Sequence, residues 1–500
     1  MPQLREHRPH SYTARALLPV LVFLLLSCSD GLNTLAPGGS SVEEAPAFTD
    51  HTSKAVSPMS ATVGQWSSQF PWINVAVHLS LLPDGRVLSF GRLNGGTPQV
   101  WDPANGSFIG ISAPSLLFCA GMTYLPSGKL LVAGGHIADG LGLPNSNLFD
   151  FSTNSWTAGP AMAAGRWYPT ATMLANGQVL VIAGTDQNGT TVMVPEIRID
   201  NGNWRQLTSA SRSLPYYPRD FLAPNGQVFY AGELQATYYL NTTGTGAWTF
   251  VANRVVSDRS YGAAVMYRPG KILYAGGGDP PTATAELIDL NLASPSWQAT
   301  SPMANARRQL NLTLLPDGRV LAMGGTSSPG FTTTAGGVHA TEVWDPNNGS
   351  WTTWASNAVT RVYHSTTVLL PDGRLLFTGS GDGAGLPDEQ NAEIFEPPYL
   401  FQGPRPTITT VAAQWKYGQK VVVTTPDAES IATVSLIRLN STTHAFDMNQ
   451  RYIQLGFTKQ SGKITAAVPT SRTKLPPGHY MVFILNGAKI PSVARIIRIG

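Results

Sequence analysis

From residue 64 to about residue 400, short apolar runs come in pairs around tight polar turns. The turns are Leu82-Pro83-Asp84-Gly85, Pro126-Ser127-Gly128, Ala175-Asn176-Gly177, Pro224-Asn225-Gly226, Pro269-Gly270, Pro316-Asp317-Gly318 and Pro371-Asp372-Gly373. Each predicts a hairpin whose second strand ends in small residues, as in Val132-Ala133-Gly134-Gly135. A third strand such as Glu342-Val343-Trp344-Asp345 follows, then a fourth that carries tryptophan, as at Trp351. Trp156, Trp204, Trp248 and Trp297 hold that place in other repeats and are expected to pack between neighbouring sheets. The seventh repeat runs into Pro397-Pro398 after three strands, while Gly64-Gln65-Trp66 stands unmatched before the first. Pairing the two closes an otherwise open edge.

The turn glycines recur at intervals of 43, 49, 49, 44, 48 and 55 residues. Four strands per repeat at that period predict a seven-bladed kelch-type β-propeller over residues 63–402. Past Pro404-Arg405-Pro406 the period is lost, and alternating strands at 420–423, 434–437, 452–455 and 480–483 predict a small antiparallel Ig-like β-sandwich over 403–500. The chain is therefore expected to be all-β. Composition agrees, since glycine supplies 50 of 500 residues and only 13% are charged. A net charge of +3 with no basic run gives no reason to expect nucleic acid, and a monomer is expected.

Arg5, Arg8 and Arg15 precede an apolar run, 16–27, that is too short to span a bilayer comfortably. It ends in Leu25-Leu26-Ser27-Cys28, which resembles a bacterial lipoprotein signal with Cys28 as the lipidated first residue. An ordinary secretory signal is the alternative; either way residues 1–28 are expected to direct export, to the cell envelope or outside the cell. Residues 29–62, rich in Ser, Ala, Gly and Pro, are expected to form a flexible tether.

Nine residues before each turn glycine stand Ala76, Cys119, Tyr168, Tyr217, Tyr261, Gln309 and His364, with Tyr363 beside the last. If each run is the innermost strand of its blade, equal register puts these side chains in one layer around the axis. A thiol, several phenols and an imidazole in one layer look more like a site than a core. The polar stretch 441–451 of the C-terminal domain adds His444. Imidazole and phenolate ligands beside a soft thiol suit copper better than magnesium or calcium. Neighbours on a regular strand face opposite ways, so Tyr363 and His364 can share a metal only where the strand is irregular.

Phe118-Cys119, Arg166-Trp167-Tyr168-Pro169, Arg361-Val362-Tyr363-His364-Ser365 with the LLPDGR that follows, and THAFDMNQR at 443–451 resemble the galactose oxidase and glyoxal oxidase family. The motifs appear in order, and the likeness runs from about residue 64 to the end. It implies a copper radical oxidase with one copper per chain. Tyr168 would be an equatorial ligand joined to Cys119 by a thioether, the Cys–Tyr radical cofactor of the family. His364 and His444 would be the other equatorial ligands, and Tyr363 the axial ligand and proton acceptor. The reaction implied is oxidation of a small-molecule alcohol or aldehyde by O2, giving hydrogen peroxide.

Galactose oxidase places a tryptophan over its cross-link, just after the second strand of the tyrosine's blade, where this chain reads Ala183-Gly184-Thr185-Asp186-Gln187. The RWYP motif leans toward the glyoxal oxidase branch, with small aldehydes or simple primary alcohols as substrates. Trp167 either takes over the shielding or simply packs. Tyr217 and Tyr261 either line a substrate channel or fill the axis, and Arg308 is a candidate to bind an acidic substrate group. His78 lies two residues out of register and reads as core. A non-catalytic kelch propeller that binds a partner at the cell surface, and a galactose-type carbohydrate oxidase, are the alternative functions.

Overall fold

The computed structural model describes residues 43–53, 57–383 and 385–500; the expected export signal and Cys28 lie outside the described residues. Seven antiparallel sheets follow the seven repeats. Their innermost strands are β1 (His78–Leu81), β2 (Gly121–Tyr124), β3 (Thr170–Met173), β4 (Asp220–Leu222), β5 (Ala263–Arg268), β6 (Asn311–Leu314) and β7 (Ser365–Leu369). Each leads through its turn glycine into the second strand, and the turn needs a backbone that glycine adopts freely: φ is 86° at Gly85 and 87° at Gly373. Inner strands of successive sheets touch, β2 against β3, β3 against β4, β5 against β6, β6 against β7, and β7 against β1. The arrangement is that of a β-propeller followed by a smaller β domain.

The unmatched N-terminal segment joins the last sheet. Gln65–Trp66 pairs antiparallel with Asn391–Glu396, with Trp66 opposite Phe395. In four sheets an outer-strand tryptophan also ties the sheet to the one before it. Trp204 Nε1 donates to the Pro160 carbonyl at 2.9 Å, Trp248 to Ala210 at 2.8 Å, Trp351 to Ser301 at 2.9 Å and Trp66 to Ala355 at 2.9 Å. Four sheets also bury an arginine–glutamate pair, Arg166–Glu196, Arg259–Glu286, Arg307–Glu342 and Arg361–Glu393. Each arginine lies just before an inner strand and also donates to backbone carbonyls, for example Arg166 to Ala183 at 2.9 Å and Arg361 to Gly379 at 3.0 Å. Such added bonds help a buried ion pair hold its geometry, although Nε of each of the four arginines is buried without a partner.

The C-terminal domain has two sheets that share one apolar core, including Trp415, Val423, Val434, Ile464, Ile484 and Ile497. It departs from a purely antiparallel sandwich in one pairing, because Gln414–Trp415 runs parallel to Arg495–Ile499. The composition of 29–62 also misleads where that stretch is described. Ala45 is buried in the C-terminal core and donates its N–H to Val411 at 2.8 Å. Arg405 pairs with Asp50 at 2.9 Å, and Ser60–Val63 forms one helical turn. A few apolar side chains with sites to fill outweigh the surrounding small and polar residues.

One element crosses between the domains. Ser441–Thr443 (β8) adds to the open edge of β1, so the first sheet has five strands. The residues around β8 satisfy other inner strands: Asn449 Nδ2 donates to Met122 at 3.0 Å, Gln450 Oε1 accepts from the Leu314 amide at 2.9 Å, and Thr442 donates to Thr367 at 2.9 Å. Buried Asp447 organises this segment by accepting from Asn440 at 2.9 Å and from the Asn449 amide at 2.9 Å. A stretch whose polar residues suit a loop is therefore buried, and its polar groups pair with strand edges.

Candidate metal centre

His364, immediately before β7, has φ of 71°, in the left-handed region. Cys119 (61°), Tyr168 (64°), Tyr217 (45°), Tyr261 (56°) and Gln309 (60°) share it. The conformation costs an L residue roughly 1–2 kcal/mol and persists only where surrounding bonds fix it. Here backbone bonds pass between sheets: Tyr168 N–H to Cys119 at 2.8 Å, Tyr217 to Tyr168 at 3.0 Å, Gln309 to Tyr261 at 2.9 Å. The left-handed residue breaks strand alternation. Tyr363 and His364 consequently lie side by side, their ring centroids 3.9 Å apart.

His444 reaches this layer from the C-terminal domain. Its ring centroid is 4.6 Å from that of Tyr168, 4.5 Å from His364 and 5.7 Å from Tyr363. The hydroxyls of Tyr168 and Tyr363 share a hydrogen bond, and Cys119 Sγ lies 3.8 Å from His444 Nε2. All five side chains are buried. Both imidazoles are oriented through Nδ1, in His364 to the Gly381 carbonyl and in His444 to Thr443 Oγ1 at 2.7 Å. With Nδ1–H donating, each Nε2 keeps a free lone pair, that of His444 facing Cys119 Sγ. His364 Nε2 is buried without a partner.

That donor set fits a cation. Burial holds the His364 imidazole neutral, its pKa lowered to about 3. It lowers His444 well below the usual histidine value, with His364 and His78 adding to the effect. Burial also pushes both Tyr168 and Tyr363 well above the usual phenol value. Neutral imidazoles and phenols become a ligand set when a metal supplies positive charge among them. Among the described residues no three His, Cys, Asp or Glu side chains form a metal-binding group, so such a site depends on the phenols. The Cys119 thiol is raised well above its usual value by burial, opposed by a hydrogen bond with Tyr168. Its amide donates to His78 Nε2 at 3.0 Å, and His78 stacks on Phe90 with centroids 4.4 Å apart, a supporting place at the core.

Two adjoining hollows, each of about 260 Å³, open onto Tyr168. One lies over Tyr363 and His364, beside Arg92, Trp167 and Phe331; the other lies over Tyr217 and Phe446, beside Arg219 and Glu233. Tyr216 and Tyr261 line both. Arg308 lines neither. Its guanidinium engages Asp279 at 2.9 Å, the Gly330 carbonyl at 3.1 Å and Ser260 at 3.2 Å.

Sequence reasoning missed Tyr216, whose ring lies 5.2 Å from both Tyr168 and Trp167. A signal was present. Tyr216 stands immediately before its register position, as Trp167 does before Tyr168 and Tyr363 before His364, and all three reach the hollows. Arg92, Arg219 and Glu233 come from outside the register, with no comparable signal.

The C-terminal residues 405–499 match the family of galactose oxidase-like early set domains. Over 87% of its length the chain is 30% identical to a galactose oxidase of Gibberella zeae, covering 71% of that protein. The chain belongs to the galactose oxidase family of copper radical oxidases. An aldehyde oxidase GLOX of Vitis pseudoreticulata is 27% identical over 76% of this chain and 82% of its own. A fungal alcohol oxidase of the AA5 family, solved in complex with copper, superposes with a TM-score of 0.80 at 24% identity. The match covers 88% of this chain and 100% of that one and shows the shared fold. In the stretch 183–187, Thr185 bridges Trp167 and Thr191 through the backbone. Trp167 meets the Tyr168 ring edge-on at 4.0 Å, and its Nε1 bonds His136 Nδ1 at 3.2 Å, while Tyr216 lies nearer to parallel.

Proposed function

We propose that this chain binds one copper through Tyr168, Tyr363, His364 and His444 and oxidises small aldehydes or primary alcohols with O2, releasing hydrogen peroxide. The observation that carries this reading is the buried convergence of those four side chains, with His364 Nε2 unpartnered among them. Oxidation of RCH2OH by O2 yields RCHO and H2O2, so two electrons must leave the substrate together. When bound, copper supplies one electron hole and a Cys119-linked Tyr168 the other. Tyr363 holds the substrate proton, its oxygen already hydrogen-bonded to that of Tyr168. Gly381 and Thr443 keep both imidazoles in one tautomer. Trp167 and Tyr216 keep water from the Tyr168 ring.

The seven sheets are read as the blades of a closed kelch-type propeller, and the C-terminal domain as Ig-like. The chain is read as exported and anchored through lipidated Cys28. A radioactive fatty acid that labels the wild type but not Cys28→Ser tests the anchor. A peroxidase-coupled assay on copper-loaded, oxidised protein tests the activity. Peroxide is expected from small aldehydes and primary alcohols, with weaker turnover of galactose; silence over a broad panel favours a binding propeller.

A further inference from the structure

The second hollow has its own chemistry. Its floor holds two charged groups, Arg219 and Glu233, with NH1 and Oε2 3.7 Å apart. Arg219 is fully committed: Nε and NH2 donate to the Gly262 carbonyl at 3.1 and 2.9 Å and NH1 to the Tyr217 carbonyl at 2.9 Å. Its guanidinium also lies 3.7 Å from the Phe446 ring centroid, and it is buried. Glu233 is held at one oxygen only. Oε2 accepts the Tyr261 amide at 3.1 Å, and among the described residues none donates to Oε1. The Glu233 side chain remains 20% exposed. The hollow therefore offers an arginine with its donors occupied and a fixed carboxylate oxygen with acceptor capacity left.

Tyr216 is 40% exposed and stands where the two hollows meet. A flat exposed ring beside a fixed carboxylate suits a ligand with C–H faces and hydroxyl donors. It is unsuited to a carboxylate, which would meet Glu233 with like charge. The first hollow lies over Tyr363 and His364, so a molecule whose reacting carbon sits there extends its other end past Tyr216 toward Glu233.

We propose that Glu233 is a specificity residue: it accepts hydrogen bonds from hydroxyl groups on the substrate carbons beyond the reacting one, selecting short polyols and hydroxyaldehydes over plain alkyl alcohols. This rests on the oxidase reading for the reacting end, but recognition by Glu233 needs neither copper nor turnover. Glu233→Gln is the informative variant. The new amide oxygen can still accept from Tyr261, and the amide NH2 then presents donors where the hollow had an acceptor.

Ligand-observed saturation-transfer NMR on the copper-free protein, with glycerol and 1-propanol as probes, tests the recognition directly. Wild type is expected to transfer saturation to glycerol more strongly than to 1-propanol, and Glu233→Gln to lose that difference with its melting temperature unchanged. On the copper-loaded enzyme, KM for glycerol is expected to rise about tenfold in Glu233→Gln, with kcat and the constants for 1-propanol unchanged. If the variant is destabilised, Tyr216→Leu serves instead and should weaken glycerol binding while Tyr261 keeps its bond to Glu233. Equal transfer to both probes in wild type, or parallel losses for both in the variant, overturns the proposal. A glycerol preference in the copper-free protein without peroxide from any alcohol or aldehyde leaves Glu233 recognition standing and removes the oxidase reading.

Discussion

Tyr168 donates its backbone N–H to the carbonyl of Cys119 at 2.8 Å. Two residues of adjacent sheets, 49 positions apart in sequence, are thus held together before any side-chain chemistry occurs. Both have left-handed backbones, and both side chains are buried in one cluster. The proposed thioether would join two residues whose backbones already meet. Aerobic copper treatment is expected to give one peptide pair, lighter than the sum of its parts by two hydrogens and resistant to thiol reductants. Cys119→Ser should lack the link and the radical absorbance yet still bind copper. Mass spectrometry of the digest decides, and an alkylatable Cys119 in copper-loaded, aerated protein counts against the radical site.

His444→Ala removes an imidazole supplied by the C-terminal domain while leaving the sheets of the propeller intact. Copper affinity is expected to fall by about a hundredfold or more, by analogy with losses seen when a metal site is disturbed. Thermal stability of the copper-free protein should change little by comparison. Isothermal titration with copper and a parallel melt separate the two effects.

Much of this was legible along the chain. The turn glycines and flanking apolar runs are local signals, so the repeats, the inner-strand register and the layer from Cys119 to His364 can be read directly. The pairing of Gln65–Trp66 with the last sheet follows from counting strands. What could not be read depends on which strands and segments the fold brings side by side. Arg166 and Glu196 are 30 residues apart and meet only across strands. The insertion of β8 beside β1 was hidden because a buried polar segment and an exposed loop have the same composition. Glu233 reaches its hollow from a turn beyond a second strand, off the repeating register.

Trp66 closes the last sheet with few other contacts of its own strand to help. Its ring lies 4.9 Å from Phe395, and its Nε1 bonds Ala355 at 2.9 Å. Trp66→Ala is expected to cost about 3 kcal/mol. Chemical denaturation with tryptophan fluorescence and circular dichroism checks it, and limited proteolysis should find 391–396 newly accessible.

His479 makes the domain contact sensitive to acid. It packs against Phe151, and burial, with help from Arg498 and Arg438, lowers its pKa to about 4. The unfolded chain takes up a proton at this histidine near pH ~6.5. Stability from this group is therefore full above about pH 6.5 and declines as pH falls toward about 4, by about 3 kcal/mol in all. Melts of the copper-free protein across that range should show the decline, and His479→Phe should make it shallower without abolishing it, because buried His364 and His444 resist protonation in the same way.

Ribosomes make this chain from the amino end, and that order bears on the insertion of β8 beside β1. When the seven sheets have emerged, Tyr168, Tyr363 and His364 already exist, but the imidazole of His444 does not. The cluster is completed only after Ser441–Thr443 has reached the first sheet, which sets His444 beside Tyr168 and His364 and fills the open edge together. A nascent or truncated propeller therefore lacks one of the four side chains of the proposed copper site, and that site waits for the end of synthesis.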